Sequence, residues 1–294
     1  MEHQLLKAIV ALLGTMDKPH TSTRFDFSDQ DSIRVFSWSV ICDRPTSWAC
    51  GQENWPAHLR RRPLPSPPTM SRRRRSPSVV ALLDALERRV TAPQGPGLFW
   101  MIDGKPLPIG GGSKDRQAGY GKAAGCMAQG DKLHALVGSD GSLAGWRVAP
   151  MHKDEWVMAG RLLQAAPPEV LGSVAAAANF DSNRRHRIGD DRGDRQLVTP
   201  RRYGPGRETG NRKQTAGRLR SIALTESPLP TFAEQLLKDR GEIERQFGNM
   251  VNWGGGRNGL PAWVRTHRRV RRWVQAKRVL TRRKRDARMR TCAA

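Results

Sequence analysis

Leu98 to Ile102 is an unbroken run of bulky apolar residues that ends in a single acid, Asp103. A short continuous run of this kind suits a strand buried on both faces, so the sheet that holds it must be covered above and below. Gly104 and Pro106 follow at once and predict that the strand stops there, with Asp103 at its mouth. A carboxylate in that position is costly without a partner. It is either a turn aspartate capping the strand end or one member of a site, and the rest of the chain has to decide between them.

Charge narrows the choice of partner. Fifty-one Lys and Arg against 27 Asp and Glu leave a formal net charge of +24. Most of the excess is arginine, whose planar fork suits bidentate contacts to phosphate. Nucleic acid is the expected partner. No lipid-facing amphipathic helix or lipid-anchor motif stands out, so a membrane surface is not expected. The apolar stretch Ala8–Leu13 is too short to span a bilayer and lacks a clear cleavage site, so it predicts a helix and not an export signal. Cys42, Cys50, Cys126 and Cys292 form no Cys-x-x-Cys pair, which argues against structural zinc and fits a reducing cytoplasm. The histidines, His134 and His186 among them, are dispersed and predict structural or exposed roles.

Residues 1–92 predict a small, mainly helical N-terminal region for DNA binding or accessory function. Leu5, Leu6, Ile9, Leu12 and Leu13 follow a helical period, as do Val79, Leu82, Leu83, Leu86 and Val90. Ser32–Ile41 fits either a strand or a helix, and Trp48 and Trp55 are candidate core residues. The Pro-, Ser- and Arg-rich run from Arg60 to Arg75 predicts an extended linker, with Arg60, Arg61 and Arg62 tracking a DNA backbone. Thr91–Gly97 is the domain boundary. Gly110–Gly125 predicts a flexible stretch, and it lacks the spacing of a phosphate-binding loop. Lys132–Val137 and Leu143–Val148 flank an Asp-Gly turn and predict a hairpin. A helix over His152–Leu163, a strand over Val170–Ala178, a short helix capped by Asp181 or Ser182, and a strand over Gln196–Thr199 come next. Arg201–Arg220 predicts a surface excursion.

Phe232–Val251 predicts one helix. On a wheel, Leu236, Ile243, Phe247 and Val251 share a stripe with Arg240 and Glu244, whereas Glu234, Asp239 and Glu242 point elsewhere. Glu244 is thus the acid expected on the packed side, with Arg240 one turn earlier able to pair with it. Residues 265–290 hold thirteen Lys or Arg and one acid, Asp286. Arg268, Arg269, Arg271, Arg272, Arg282 and Arg283 are accordingly predicted to contact DNA phosphates, with strongly salt-dependent binding, and residues 284–294 a basic tail.

The ordered set runs from a strand ending in Asp103, through a hairpin and a helix, to a strand ending in Asn179-Phe-Asp-Ser182, and then to a helix bearing Arg240-Gly-Glu-Ile-Glu-Arg-Gln-Phe247. It resembles the bacterial insertion-sequence transposases of the Asp-Asp-Glu type over about residues 97–283. The resemblance implies an α/β catalytic domain at 93–283 with a ribonuclease-H-like mixed sheet flanked by helices. It also implies three acids holding two magnesium ions, with manganese as an alternative. Asp103 matches the first acid, Glu244 the last, and Arg240 its supporting arginine. Leu237 stands where tyrosine is common and Val251 where lysine is common. The position of the second acid is Ala177. Asp181 matches a later aspartate of the motif that is not usually a ligand, and would serve only if the strand end shifted by about a helical turn.

Such an enzyme cuts and joins the phosphodiesters of an element's terminal inverted repeats through two metal ions. It would act in the bacterial cytoplasm, at the nucleoid, as a homodimer on double-stranded DNA. Loss of one carboxylate implies an impaired copy that keeps fold and DNA binding. The alternatives are a catalytically dead, transposase-derived DNA-binding protein and a basic ribonucleoprotein component.

Overall fold

The structure, a computed structural model, describes all residues except 17–26, 61–62, 94, 96, 110–112, 114, 124, 168–169, 193–194, 201–213, 227–231, 252–259 and 294. Among the described residues the element order is α1 Glu2–Gly14, α2 Asp29–Ile41, α3 Pro67–Arg73, α4 Pro77–Thr91, β1 Gly97–Pro108, β2 Gly119–Lys122, β3 Met127–Gly138, β4 Leu143–Pro150, α5 Glu155–Gln164, β5 Val170–Ala175, α6 Asn183–Arg192, β6 Arg195–Val198, α7 Ala216–Thr225, α8 Phe232–Asp239, α9 Gly241–Val251 and α10 His267–Ala293. They form two compact units, one of residues 1–91 with 250–294 and one of residues 92–249. None of the described helices is long and apolar enough to cross a membrane.

The first unit is helical and organised around α2. Ser28 and Asp31 close a capping box at its start. Ile33, Val35, Phe36, Trp38, Val40 and Ile41 are all buried, with Ser32, Ser37 and Ser39 on the tight sides. The Ser32–Ile41 ambiguity therefore resolves as a helix buried nearly all round, where a period-2 pattern carries no information. The apolar stripes of α1 and α4 pack against α2. Trp55 is buried and its indole donates to the Ala49 carbonyl at 2.7 Å, while Trp48 is half-buried and stacks on Trp38.

Residues 60–75 are not the extended linker their composition predicts. Ser66 caps α3 and Pro67 occupies its first turn, where a missing N–H costs nothing. Arg73, at its end, is buried and reaches Asp29 at 2.5 Å; Ser78 donates to the same carboxylate oxygen at 3.2 Å. Arg61 and Arg62 lie outside the described residues.

The basic C-terminal segment also differs from its prediction. α10 runs unbroken to Ala293, through the residues read as a tail, and it belongs to the first unit and not to a 93–283 block. It buries Val270, Trp273, Val274, Val279 and Leu280, and packs on α4, α2 and α1. Acids from distant elements meet its cations: Asp84 lies 3.1 Å from Arg272, and Asp43 lies 3.4 Å from the fully buried Lys277.

The second unit is α/β, a mixed six-stranded sheet flanked by helices. β3 pairs antiparallel with β1 on one edge, and on the other with β2 at its start and then β4. β1 pairs parallel with β5, and β5 with β6. The predicted hairpin is present, with Gly141 at φ 80° in its turn. β2 falls within the stretch predicted to be flexible. Trp100, Ile102, Leu136 and Val174 pack with Ala159, Leu162 and Leu163 of α5. Met101, Ala135, Val137 and Ala175, of opposite parity, are buried as well, so the sheet is covered on both faces from Trp100 to Ile102, whereas Leu98 and Phe99, which open the apolar run and are predicted to be buried with it, are exposed.

β1 does not stop at Gly104. It continues to Pro108 along β3, and Asp103 lies within it. The last pair between β1 and β5 is Met101 with Ala175. Beyond it that edge of β1 has no strand partner among the described residues, which is the setting in which a sheet tolerates Pro106. The predicted helix over 232–251 is divided: α8 ends at Asp239 and α9 starts at Gly241, with Arg240 at the break.

The buried Arg73–Asp29 pair separates a folded α3 from a solvated linker. Removing one partner of a buried ion pair costs about 3–5 kcal/mol. Arg73→Ala is therefore expected to lower the stability of the chain by that amount in chemical denaturation, whereas a linker arginine would change it by less than about 0.5 kcal/mol.

Candidate functional site

Asp103 lies two residues past the last pair of β1 with β5, on the strand about which the sheet changes from antiparallel to parallel pairing. Such switch points are where α/β sheets present their sites. The last pair between the two strands is Met101↔Ala175, so Ala177 comes two residues past it on its segment, as Asp103 does on β1. The chain is still extended at Ala177, with ψ 162°, before the turn at Ala178–Phe180. The position the resemblance gives to the second acid holds a methyl group, packed against the core cluster that includes Ile102 and Phe180.

Asp103 Oδ1 accepts from the Gly104 N–H at 2.8 Å, and Oδ2 lies 3.6 Å from Arg240 Nη1. Nη2 of the same guanidinium lies 3.3 Å from Glu244 Oε1. The break at Arg240 starts α9 afresh and points Ile243 and Phe247 inward, leaving the Glu244 side chain 59% exposed and not on the packed side as predicted. Arg240 therefore bridges the two acids. Burial raises the Asp103 pKa above the ordinary carboxylate value; the Gly104 N–H and Arg240 pull it down, and Glu155 and Glu244 push it up.

Behind Gly104 lies a group that the sequence pattern did not disclose. Glu155, opening α5, accepts from Lys132 Nζ at 2.8 Å and from Asn179 Nδ2 at 2.6 Å. A Cβ on Gly104 would stand 3.2–3.3 Å from Lys132, Glu155 and His134, so these side chains close tightly over the glycine. Burial pushes the His134 imidazole down to about 4, which keeps it neutral at pH 7. The available signal was Lys132 and His134 on the parity of Leu136, two polar residues on an otherwise apolar strand face.

Asp181 is occupied elsewhere. Arg218 of α7 donates to both its oxygens, each at 2.8 Å, and His186 Nε2 lies 3.4 Å away, all buried. This carboxylate ties the loop after β5 to α6 and α7, and a fixed bidentate pair does not supply a free donor at Asp103. Within the predicted surface excursion, residues 201–213 lie outside the described residues, and its later part opens α7, with Arg218 buried.

Among the predicted phosphate contacts, Arg268, Arg269 and Arg271 are exposed at the start of α10. Arg272 is held by Asp84, and Arg282 and Arg283 lie 3.1 and 3.8 Å from Asp286. Arg60 is half-buried and donates to the Trp55 carbonyl.

Two carboxylates with an arginine between them are not a donor set for two magnesium ions, which need several oxygen ligands each. Among the described residues no three His, Cys, Asp or Glu side chains converge to hold a metal ion. No family model, curated protein or solved structure matches the chain.

The shared field of Asp103, Arg240 and Glu244 has a signed consequence. Arg240→Ala removes a charge that favours the Asp103 carboxylate and should raise its pKa; Glu244→Gln removes one that opposes it and should lower the pKa. Carboxyl-carbon NMR titration checks both, and an Asp103 pKa unmoved in either variant would show that the groups do not act on one another.

Proposed function

We propose that this chain is a DNA-binding protein built on the plan of the Asp-Asp-Glu transposases, with a strand-cutting centre that lacks its second acid. Four strands joined by antiparallel pairing, β1 to β4, followed by β5 and β6 in parallel pairing, with helices between the later strands, support a ribonuclease-H-like identity for the sheet. Asp103 on the first of those strands and Glu244 on a late helix, joined through Arg240, fit the first and last acids of that plan. The net charge of +24 fits a nucleic-acid partner.

The observation that carries the proposal is that Ala177, two residues past the last pair of β1 with β5 as Asp103 is on β1, has no carboxylate to offer. Phosphodiester cutting of this type depends on two cations about 3.5–4 Å apart, held between carboxylates. With a methyl group at 177 and the guanidinium of Arg240 between the two remaining acids, the positive charge near Asp103 comes from the protein itself. Duplex DNA is the proposed partner, bound without efficient cutting.

Loss of groups that only support a metal ligand typically costs about 10–100-fold, and a missing ligand should cost at least as much. Ala177→Asp is therefore expected to raise magnesium-dependent cleavage of duplex DNA carrying inverted terminal repeats by about 100-fold or more over the native chain. Equal, robust cleavage by both proteins would overturn the proposal.

A further inference from the structure

Pro45–Ser47, Pro67–Arg75 and the segment from Trp263 to Arg272 enclose a cavity of about 270 Å³ in the first unit. Five arginines line it, Arg74, Arg75, Arg268, Arg269 and Arg272, and none of its lining residues is acidic. Among the described residues only Arg272 of the five has a carboxylate partner, Asp84, which Gln275 also contacts. Arg75 reaches the Ser71 hydroxyl and Arg269 the Trp263 carbonyl, both neutral groups. Elsewhere several buried cations meet an acid: Arg73 has Asp29, Lys132 has Glu155 and Arg218 has Asp181. Arg74, half-buried in the cavity wall, meets a hydroxyl and an aromatic ring instead.

Arg74 is the fixed element of the cavity. Its guanidinium lies 4.2 Å from the centroid of the Phe36 ring, and Nη1 donates to Thr46 Oγ1 at 2.9 Å. A stacked, hydrogen-bonded guanidinium has already lost most of its rotamer freedom, so a ligand that meets its free donors has little ordering left to impose. Burial first, then Arg269, Arg268, Arg272 and Arg75, push its pKa down to about 10, a measure of how strongly the cavity disfavours further positive charge. The charge nonetheless persists at pH 7, and an anion is what relieves it.

We propose that this cavity seats backbone phosphates of duplex DNA, with Arg74 fixed at its wall and Arg75, Arg268 and Arg269 closing on the phosphate oxygens. Arg72, Arg265 and Arg271 are exposed on the same two segments, which extends the positive surface past the cavity and suits a ligand with successive phosphates. Of the large apolar side chains in the wall, Met70 is buried and Trp263 half-buried, and the vesicle competition below separates a lipid surface from DNA. Base edges are not needed; contacts of this class position DNA without reading sequence.

The proposal rests on the reading of the chain as a DNA-binding protein, but it is tested without magnesium, so a failure of Ala177→Asp to cut DNA leaves it standing. Fluorescence anisotropy of a labelled duplex in EDTA, with salt varied between about 50 and 200 mM, compares the native chain with Arg268→Glu/Arg269→Glu and with Lys7→Glu. Lys7 is exposed on α1 and does not line the cavity. The double variant is expected to bind at least about 10-fold more weakly and to lose about two from the slope of log affinity against log salt, at roughly 0.9 per phosphate contact. Lys7→Glu should keep the native slope. Arg74→Lys, which keeps the charge and loses the fork, should bind more weakly than the native chain at every salt concentration. The native chain, the double variant and Lys7→Glu should share one thermal midpoint, since the substituted charges at 7, 268 and 269 are exposed. Binding by the double variant equal to that of Lys7→Glu would overturn the proposal. So would absence of DNA binding by the native chain, or displacement of the duplex by phosphatidylserine vesicles that bind the native chain and not the double variant.

Discussion

β1 is hydrogen-bonded antiparallel along most of its length on one edge and parallel along less than half of it on the other. That asymmetry governs the second unit. Where β5 stops pairing, β1 keeps going, supported by β3 alone, and carries an acid that lies within the strand. The continuous apolar run that feeds it needs cover on both faces, which α5 gives on the Ile102 and Val174 side. The proline three residues past Asp103 is tolerated because its edge is unpaired. The setting of Asp103 is thus a consequence of the pairing pattern of the sheet.

Charge is the second organising constraint. A chain with nearly twice as many basic as acidic residues has few acids to assign, and they go to buried cations. Asp29, Asp84, Asp43, Glu155 and Asp181 each meet an Arg or Lys that the packing has removed from water. A buried pair of this kind adds little net stability but is costly to break. Among the described residues Arg74, Arg75, Arg268 and Arg269 line one cavity that has no acid in its wall, and an external anion is the natural counter-charge there. Arg240 has the opposite situation, one cation between two acids.

Much of the fold was legible because it rests on local pattern. The stripes of Leu5 to Leu13 and of Val79 to Val90 are helices, and the Asp-Gly turn before Ser142 joins two paired strands. The illegible parts depend on contacts far apart in sequence. Arg73 reads as linker charge because Asp29, its partner, is 44 residues away, and Arg272 reads as a phosphate contact because Asp84, its partner, belongs to α4, far from it in sequence. The site was half legible. Asp103, Arg240 and Glu244 are brought together, but the break before Gly241 leaves Glu244 exposed, and Asp181 is spent on Arg218. Glu155 opens its helix like any N-terminal acid, and only the structure reveals that Lys132 and Asn179 hold it behind Gly104.

The central claim is that the site at Asp103 lacks one ligand, at 177, and so does not gather divalent cations. Isothermal titration of magnesium into the native chain and into Ala177→Asp measures this without any DNA. No saturable binding in the native chain and saturable binding in the variant is the predicted result. Saturable binding by the native chain that Asp103→Asn abolishes would contradict it.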